Sequence, residues 1–194
     1  MSEESSDHPW LKSYPSNIDW QAYIKPEALH RMLSHTEDRF PAAVAIDFMG
    51  YEMSYSELLI HVRRAARGLQ NIGVKKGDRV GLFLPNCPQY LIFYYAILMA
   101  GGTIVNMNPL YSKNEVRHLV EDSGAEIIVT LDLKALLPKL EQQIGDTKLK
   151  KIIVCPMAEF LPFPKNWLFK IFKRKDRARE SRSRRREAAA AGWC

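Results

Sequence analysis

The chain has 194 residues, with 28 Lys+Arg against 22 Asp+Glu and a formal net charge of +6. That length can bury the core of one ordinary domain, and 46% hydrophobic with 26% charged residues excludes a wholly disordered or collagen-like chain. The charge is lopsided: residues 165–194 hold 11 Lys+Arg against three acids, leaving 17 basic and 19 acidic side chains in 1–164, and a body so near neutrality gives no reason to expect a nucleic-acid-binding domain.

Met1 to Asp7 is acidic and polar, with no apolar run of the kind a signal peptide needs. The first 25 residues read as an N-terminal arm with scattered aromatics (Trp10, Tyr14, Trp20, Tyr23). Pro26 is suited to the first turn of a helix, which Ala28, Leu29, Met32 and Leu33 carry to about Arg39. Ala43–Phe48 reads as a strand and Met49-Gly50 as its turn, with Tyr51–Met53 pairing back. Ser54 and Glu57 have capping-box spacing. The helix they open places Leu58, Leu59, Val62, Ala65, Ala66, Leu69 and Ile72 on one face and Arg63, Arg64 and Arg67 on the other. Gly73 is its natural stop.

Arg79–Leu84 reads as a buried strand, and Pro88 opens a helix to Ala100 that Gly101-Gly102 closes before a strand at Thr103–Met107. No charge occurs from Val80 to Ser112. Pro85, Asn86, Pro88 and the glycine pair interrupt that stretch, so a buried helix and strand fit it better than a span of about 20 apolar residues. A second capping box, Ser112 and Glu115, opens a helix ending before Gly124. Ala125–Leu131 reads as a strand, Leu133–Ile144 as a helix with Leu136, Leu137 and Leu140 inward, and Lys151–Cys155 as the last clear strand. Short apolar strands alternating with helices predict an α/β fold with a mostly parallel sheet and flanking helices, to which the 43–54 hairpin is appended.

Little chemistry is visible. Neither G-x-x-x-x-G-K-[ST] nor G-x-G-x-x-G occurs. Gly101-Gly102 follows a helix, whereas a phosphate grip opens one, so helix stop and close packing is its reading. The histidines (His8, His30, His35, His61, His118) do not share metal-ligand spacing, and no G-x-S-x-G elbow is present. Cys87, Cys155 and Cys194 form neither a disulfide framework nor a C-x-x-C pair, which fits a reducing, cytosolic setting. Cys87 lies at a helix start, where a thiol can gain acidity. A small turn residue packed under the helix is the reading preferred for it.

Several segments taken in order carry more. Met53-Ser54-Tyr55-Ser56-Glu57-Leu58 is followed by Gly73-Val74-Lys75-Lys76-Gly77-Asp78-Arg79-Val80 and Leu84-Pro85-Asn86-Cys87-Pro88-Gln89-Tyr90. Ala100-Gly101-Gly102-Thr103-Ile104-Val105-Asn106-Met107-Asn108-Pro109-Leu110-Tyr111 comes next, then Glu115 and Asp122-Ser123-Gly124-Ala125. This ordered set resembles the N-terminal part of acyl-CoA synthetases of the adenylate-forming, AMP-binding superfamily, and the Val-Asn-x-Asn-Pro-Leu-Tyr stretch is most similar to bacterial long-chain fatty acid–CoA ligases. The resemblance covers residues 10–175. It implies an incomplete N-terminal α/β domain over 26–163, from a family that uses ATP, Mg²⁺ and coenzyme A to make acyl-CoA through an acyl-adenylate. The family's phosphate loop, Tyr-Gly-x-Thr-Glu segment, ribose Asp and catalytic Lys have no match here, so no catalytic, cofactor-binding or metal residue is carried over. A fragment without activity of its own is expected, and a non-catalytic membrane- or partner-binding module is the alternative. Uncovered strand edges and apolar faces also predict self-association.

Residues 164–175, PKNWLFKIFKRK, read as a basic-aromatic amphipathic segment. Trp167, Phe169, Lys170, Phe172, Lys173 and Arg174 are the candidates for contact with a membrane surface; the alternative packs Trp167, Leu168 and Ile171 on the body. A cytoplasmic protein, peripheral at the inner face of the membrane, is the expected location. Up to Lys175 the chain has 14 Lys and 8 Arg; from Asp176 on it has 6 Arg and no Lys. That shift suggests a change of reading frame and a truncated product. The Arg/Ala-rich stretch 176–194 is expected to be a disordered, solvated tail with no specific nucleic-acid partner.

Overall fold

The structure is a computed structural model that describes residues 9–172. After a short 3-10 turn at Pro9–Ser13, the chain forms α1 (His30–Arg39), β1 (Val44–Phe48), β2 (Tyr51–Ser54), α2 (Tyr55–Asn71) and β3 (Arg79–Phe83). It continues through α3 (Pro88–Met99), β4 (Thr103–Asn106), α4 (Lys113–Ser123) and β5 (Ile127–Leu131). The last elements are α5 (Leu137–Glu141), β6 (Lys151–Cys155), a 3-10 turn at Met157–Phe160 and α6 (Lys165–Phe172).

Four strands pair in parallel in the order β4-β3-β5-β6. The step from β3 to β4 runs one way along the sheet, and the steps from β4 to β5 and β5 to β6 run the other way. Right-handed crossovers therefore put α3 on one face and α4 with α5 on the other. The packing agrees: α3 lies on α2 and α1, and α4 lies on α5. With both faces covered, β3 and β5 are apolar at nearly every position, and Val80, Leu82, Phe83, Ile128, Val129 and Leu131 are fully buried. The long uncharged stretch supplies most of β3, then α3 and β4. The helix is largely buried as expected, whereas β4, at the end of the strand order, is half-buried to exposed rather than the buried strand expected. Among the described residues no helix is long and apolar enough to cross a membrane.

The hairpin β1–β2 forms a separate two-stranded sheet. Its turn residues, Met49 and Gly50, both have left-handed backbone (φ 57° and 89°), as the tightest hairpins require.

Two expectations need correcting. The first long helix begins at His30, not at Pro26. Residues 26–29 include no Ser, Thr, Asp or Asn to cap the free amides, Leu29 supplies no side-chain cap, and only three-residue turn bonds such as Arg31 N to Ala28 O (2.8 Å) form there. The helix expected over 133–144 is cut to Leu137–Glu141. Pro138 has no amide to give and can stand only in a first turn, so the helix cannot begin earlier. Leu136, Leu137 and Leu140 are buried all the same.

Both capping boxes form. Ser54 and Ser112 accept from the amides of Glu57 and Glu115 (3.3 and 3.4 Å), and each glutamate accepts its serine's amide in return (2.8 Å in both). Those bonds hold the carboxyls of Glu57 and Glu115 below their ordinary value of 4.5. A carboxyl depressed on folding stabilises the fold fully above its unfolded pKa and loses that contribution as pH falls through the folded one. Ser112→Ala is expected to cost about 1 kcal/mol at neutral pH. In urea melts the gap between wild type and variant should narrow below pH 4.5. A gap that stays constant down to strong acid would disprove the box's electrostatic share.

Candidate functional site

In an open α/β sheet, ligands bind beyond the carboxyl ends of the strands where the connections diverge. Here that point lies between β3, whose chain leaves toward β4, and β5, whose chain leaves toward β6. The loops meeting there are Leu84–Cys87 after β3, Asp132–Leu136 after β5 and Pro156 onward after β6.

Most of the polar side chains around these loops are spent on the backbone of adjoining elements. Thr130 Oγ donates to the Phe83 carbonyl (3.0 Å), bridging β5 to β3. Asp132 accepts the Met157 amide (2.8 Å). Gln89, 2% exposed at the start of α3, donates through Nε2 to the Pro156 carbonyl (3.0 Å). Its Oε1 has no partner. Lys139 Nζ donates to the carbonyls of Tyr111 (2.7 Å) and Pro109 (3.3 Å) and stands 5.8 Å over the Phe83 ring. The Tyr90 hydroxyl donates to Asn106 Oδ1 (3.1 Å), joining α3 to the end of β4. This is a framework that fixes loop positions. Among the described buried side-chain polar atoms, the one without a hydrogen-bond partner is this Gln89 acceptor.

The start of α3 is no anion site. Pro88 takes its first position, where no amide is available. Cys87 caps it from a buried position, and burial pushes the thiol up to about 11, outweighing the amides of Tyr90 and Gln89 that favour the thiolate. Cys87 is therefore inert near neutrality, in agreement with its reading as a packed turn residue. Gly101 and Gly102 sit at the opposite edge of the sheet. A Cβ on Gly102 would lie 3.0 Å from Ile97 Cγ2 and 3.2 Å from the Asp78 carbonyl oxygen, so the pair serves close packing.

A cleft of about 380 Å³ also opens at the amino edge of the sheet, lined by Gly73, Asp78, Arg79, Gly124, Glu126, Lys150 and Lys151 among others. Two of its cations serve helix ends and a third pairs with a carboxylate. Lys151 Nζ donates to the Ile72 carbonyl at the end of α2 (3.0 Å), Arg79 lies beside Gly124 at the end of α4, and Lys150 pairs with Glu126 (2.7 Å). Cations at helix carboxyl termini offset the negative end of the dipole.

Among the described residues no group of three or more His, Cys, Asp or Glu side chains is placed to hold a metal ion. Neither edge offers a glycine-rich loop opening a helix. The described donors therefore do not fit a nucleotide with its magnesium, and no chemical step is assigned to them. Of the residues expected at a membrane, Trp167 and Phe169 lie in α6, Trp167 exposed and Phe169 half-buried. Lys170 and Phe172 belong to α6 with side chains outside the described set, and Lys173 and Arg174 lie outside the described residues. The tail 176–194 lies outside them as well.

The family model for AMP-binding enzymes matches residues 33–191, a span that includes the arginine-rich stretch after Lys175. A long-chain-fatty-acid–CoA ligase of Bacillus subtilis is 36% identical over 170 residues, covering 88% of this chain and 30% of that protein. The Haemophilus influenzae ligase of the same name is 34% identical over 161 residues, 82% of this chain and 28% of that protein. Among solved structures, a long-chain-fatty-acid–CoA ligase from Archaeoglobus fulgidus superposes with a TM-score of 0.62 at 22% identity, over 69% of this chain and 28% of its own. The coronafacic acid ligase of Pectobacterium brasiliense gives 0.62 at 26% identity, over 66% and 26%. The chain thus spans about 30% of the length of the curated relatives it matches. With its ordered motifs, its parallel sheet and these matches, the chain belongs to the AMP-binding enzyme family.

Proposed function

We propose that this chain supplies the N-terminal α/β layer of a long-chain fatty acid–CoA ligase, the family reaction being fatty acid, ATP and coenzyme A to acyl-CoA through an acyl-adenylate. The observation that carries the reading is the 36% identity sustained over 170 residues to a relative of that name. The role of these residues is positional. Gln89, Thr130, Asp132 and Lys139 hold the loops at the carboxyl ends of β3 to β6 at fixed spacing, a surface on which a reacting segment can be supported. Because the described donors do not fit a nucleotide and magnesium, the chain alone is assigned no turnover.

The purified chain should give no palmitate-dependent ATP–pyrophosphate exchange. A chimera in which residues 9–160 replace the matching segment of the Bacillus subtilis ligase should form palmitoyl-CoA within about a factor of 10 of the parent. Exchange by the chain alone would refute the positional role. A folded but dead chimera would refute the family function. Saturable palmitate binding by the isolated chain, with a dead chimera, would instead favour a non-catalytic binding module.

A further inference from the structure

The cleft at the amino edge of the sheet lies where β3, β5 and β6 begin and where α2 and α4 end. Its volume of about 380 Å³ falls in the range of small-molecule sites. Several of its charged groups are already engaged. Lys150 and Glu126 pair at 2.7 Å. Asp78 accepts the Lys75 amide within its own turn (2.8 Å). Lys151 gives one proton to the Ile72 carbonyl at the end of α2 (3.0 Å). Arg79 and Lys148 are left over. A Cβ on Gly124, the left-handed cap of α4, would lie 3.5 Å from Arg79 Nη1 and 3.9 Å from Lys148 Nζ, so the two cationic groups meet over one glycine. Among the described residues neither has a carboxylate within ion-pair reach.

A helix end carries only about half a negative charge. One cation is enough for the end of α4, and the second is not accounted for by the dipole. Around the whole rim, four cations (Arg79, Lys148, Lys150, Lys151) stand against two carboxylates (Asp78, Glu126) and the two helix ends. The excess is about one positive charge. Like charges held this close repel unless an anion lies between them. The donors suit a phosphoryl group: the guanidinium offers a planar pair of N–H groups and the ammonium a compact point charge. One phosphoryl group accepting from both bridges nitrogens up to about 8 Å apart. Two nitrogens that each lie within 3.9 Å of the same point are inside that reach. Gly124 keeps the place between them clear of a side chain.

We propose that this cleft binds small phosphate-bearing anions, with one phosphoryl group held between the Arg79 guanidinium and the Lys148 ammonium. The rest of the cleft is room for the remainder of the molecule. This assignment does not depend on the proposed ligase function, because the cleft opens at the edge of the sheet opposite the loops that Gln89 and Lys139 fix.

The test is calorimetric titration of the full chain, at constant ionic strength, with inorganic phosphate, pyrophosphate and glycerol phosphate, and with glycerol as the uncharged control. Saturable binding with a Kd of about 1 mM or below is expected for at least one phosphate-bearing ligand, and none for glycerol. Tighter binding of glycerol phosphate than of inorganic phosphate would identify an organic ester as the natural class; the reverse order, or preference for pyrophosphate, would identify an inorganic anion. Arg79→Gln should weaken binding at least about tenfold and Lys148→Gln at least about threefold. Both side chains are exposed, so circular dichroism should not change. Lys113→Gln, at the far end of α4, should leave the affinity as it is. In nuclear magnetic resonance of the labelled chain the Gly124 amide should shift with the same midpoint, and this keeps the test decisive if Arg79→Gln fails to fold. Absence of saturable binding by the folded chain overturns the proposal. So does binding that survives both substitutions, which would give the anion to the Arg-rich tail. Equal weakening by Lys113→Gln overturns it too, since overall charge rather than a site would then be at work.

Discussion

Phe83→Ala should lower the unfolding free energy by about 3–5 kcal/mol, the usual cost of truncating a fully buried aromatic. A domain of this size holds only about 5–15 kcal/mol, so the variant is expected to be largely unfolded at moderate urea. Phe83 ends β3, a central strand with β4 on one side and β5 on the other. Its ring is wholly inaccessible and belongs to the same core as Leu82, Ile128 and Leu131. Its carbonyl takes the Thr130 hydroxyl, and Lys139, which ties down the loop after β4, stands over its ring. Loss of the ring removes buried apolar area and leaves a void that strands hydrogen-bonded on both sides cannot close. The Lys139 contact is the smaller part, about 1 kcal/mol. Phe83→Leu, which keeps most of the volume, should cost less than half as much. Urea midpoints at constant slope measure both. A Phe83→Ala midpoint near wild type would mean that the sheet is not the cooperative core of the chain.

The architecture was legible wherever a local rule decides the outcome. The capping boxes at Ser54 and Ser112 need only residues three apart, and both helices begin there. The apolar stripe Leu58 to Leu69 needs only the helical period, and those residues are buried. The parallel sheet followed from the alternation of apolar runs with helices. Errors arose where an apolar pattern was followed past a local veto. Leu136, Leu137 and Leu140 suggested a long helix, and Pro138 allows only a short one. Pro26 suggested a helix start, and the residues after it provide no cap.

The site was less legible because its contacts join distant parts of the chain. Gln89 meets the Pro156 carbonyl across 67 residues and Lys139 meets that of Tyr111 across 28. A glutamine and a lysine inside helices carry no local sign of such partners. Cys87 shows the converse. Its place before a helix allows a thiol to gain acidity, but the packed turn residue preferred from the sequence is what the structure gives, with burial pushing the thiol up. Helix position alone does not set a pKa when desolvation opposes it. The Lys165 bond to the Met49 carbonyl was also out of reach, since nothing in the spacing of either segment points to the other.

Gly101→Ala should cost about 3 kcal/mol, and Gly73→Ala only about 1–2 kcal/mol. Both glycines have left-handed backbone, φ 89° at Gly101 and 101° at Gly73, so both substitutions incur the same kind of backbone strain. They differ in surroundings. A Cβ on Gly73 would meet nothing within 4 Å, whereas one on Gly101 would lie 3.3 Å from the Lys76 Cα, a backbone atom that cannot swing aside. The corner between α3 and β4 is pressed there against the turn before β3. Gly77 donates its amide to the Gly101 carbonyl (2.9 Å) and Thr103 donates to the Asp78 carbonyl (2.8 Å). Moving the two loops apart to admit a methyl group would stretch both bonds and shift the start of β4 against β3. The excess cost at Gly101 over Gly73 therefore measures this close approach, with the left-handed strain subtracted by the comparison. Urea melts of the two variants against wild type give the difference directly. Equal losses at the two positions would remove packing as the reason for glycine at 101 and reopen a ligand-binding role for the pair.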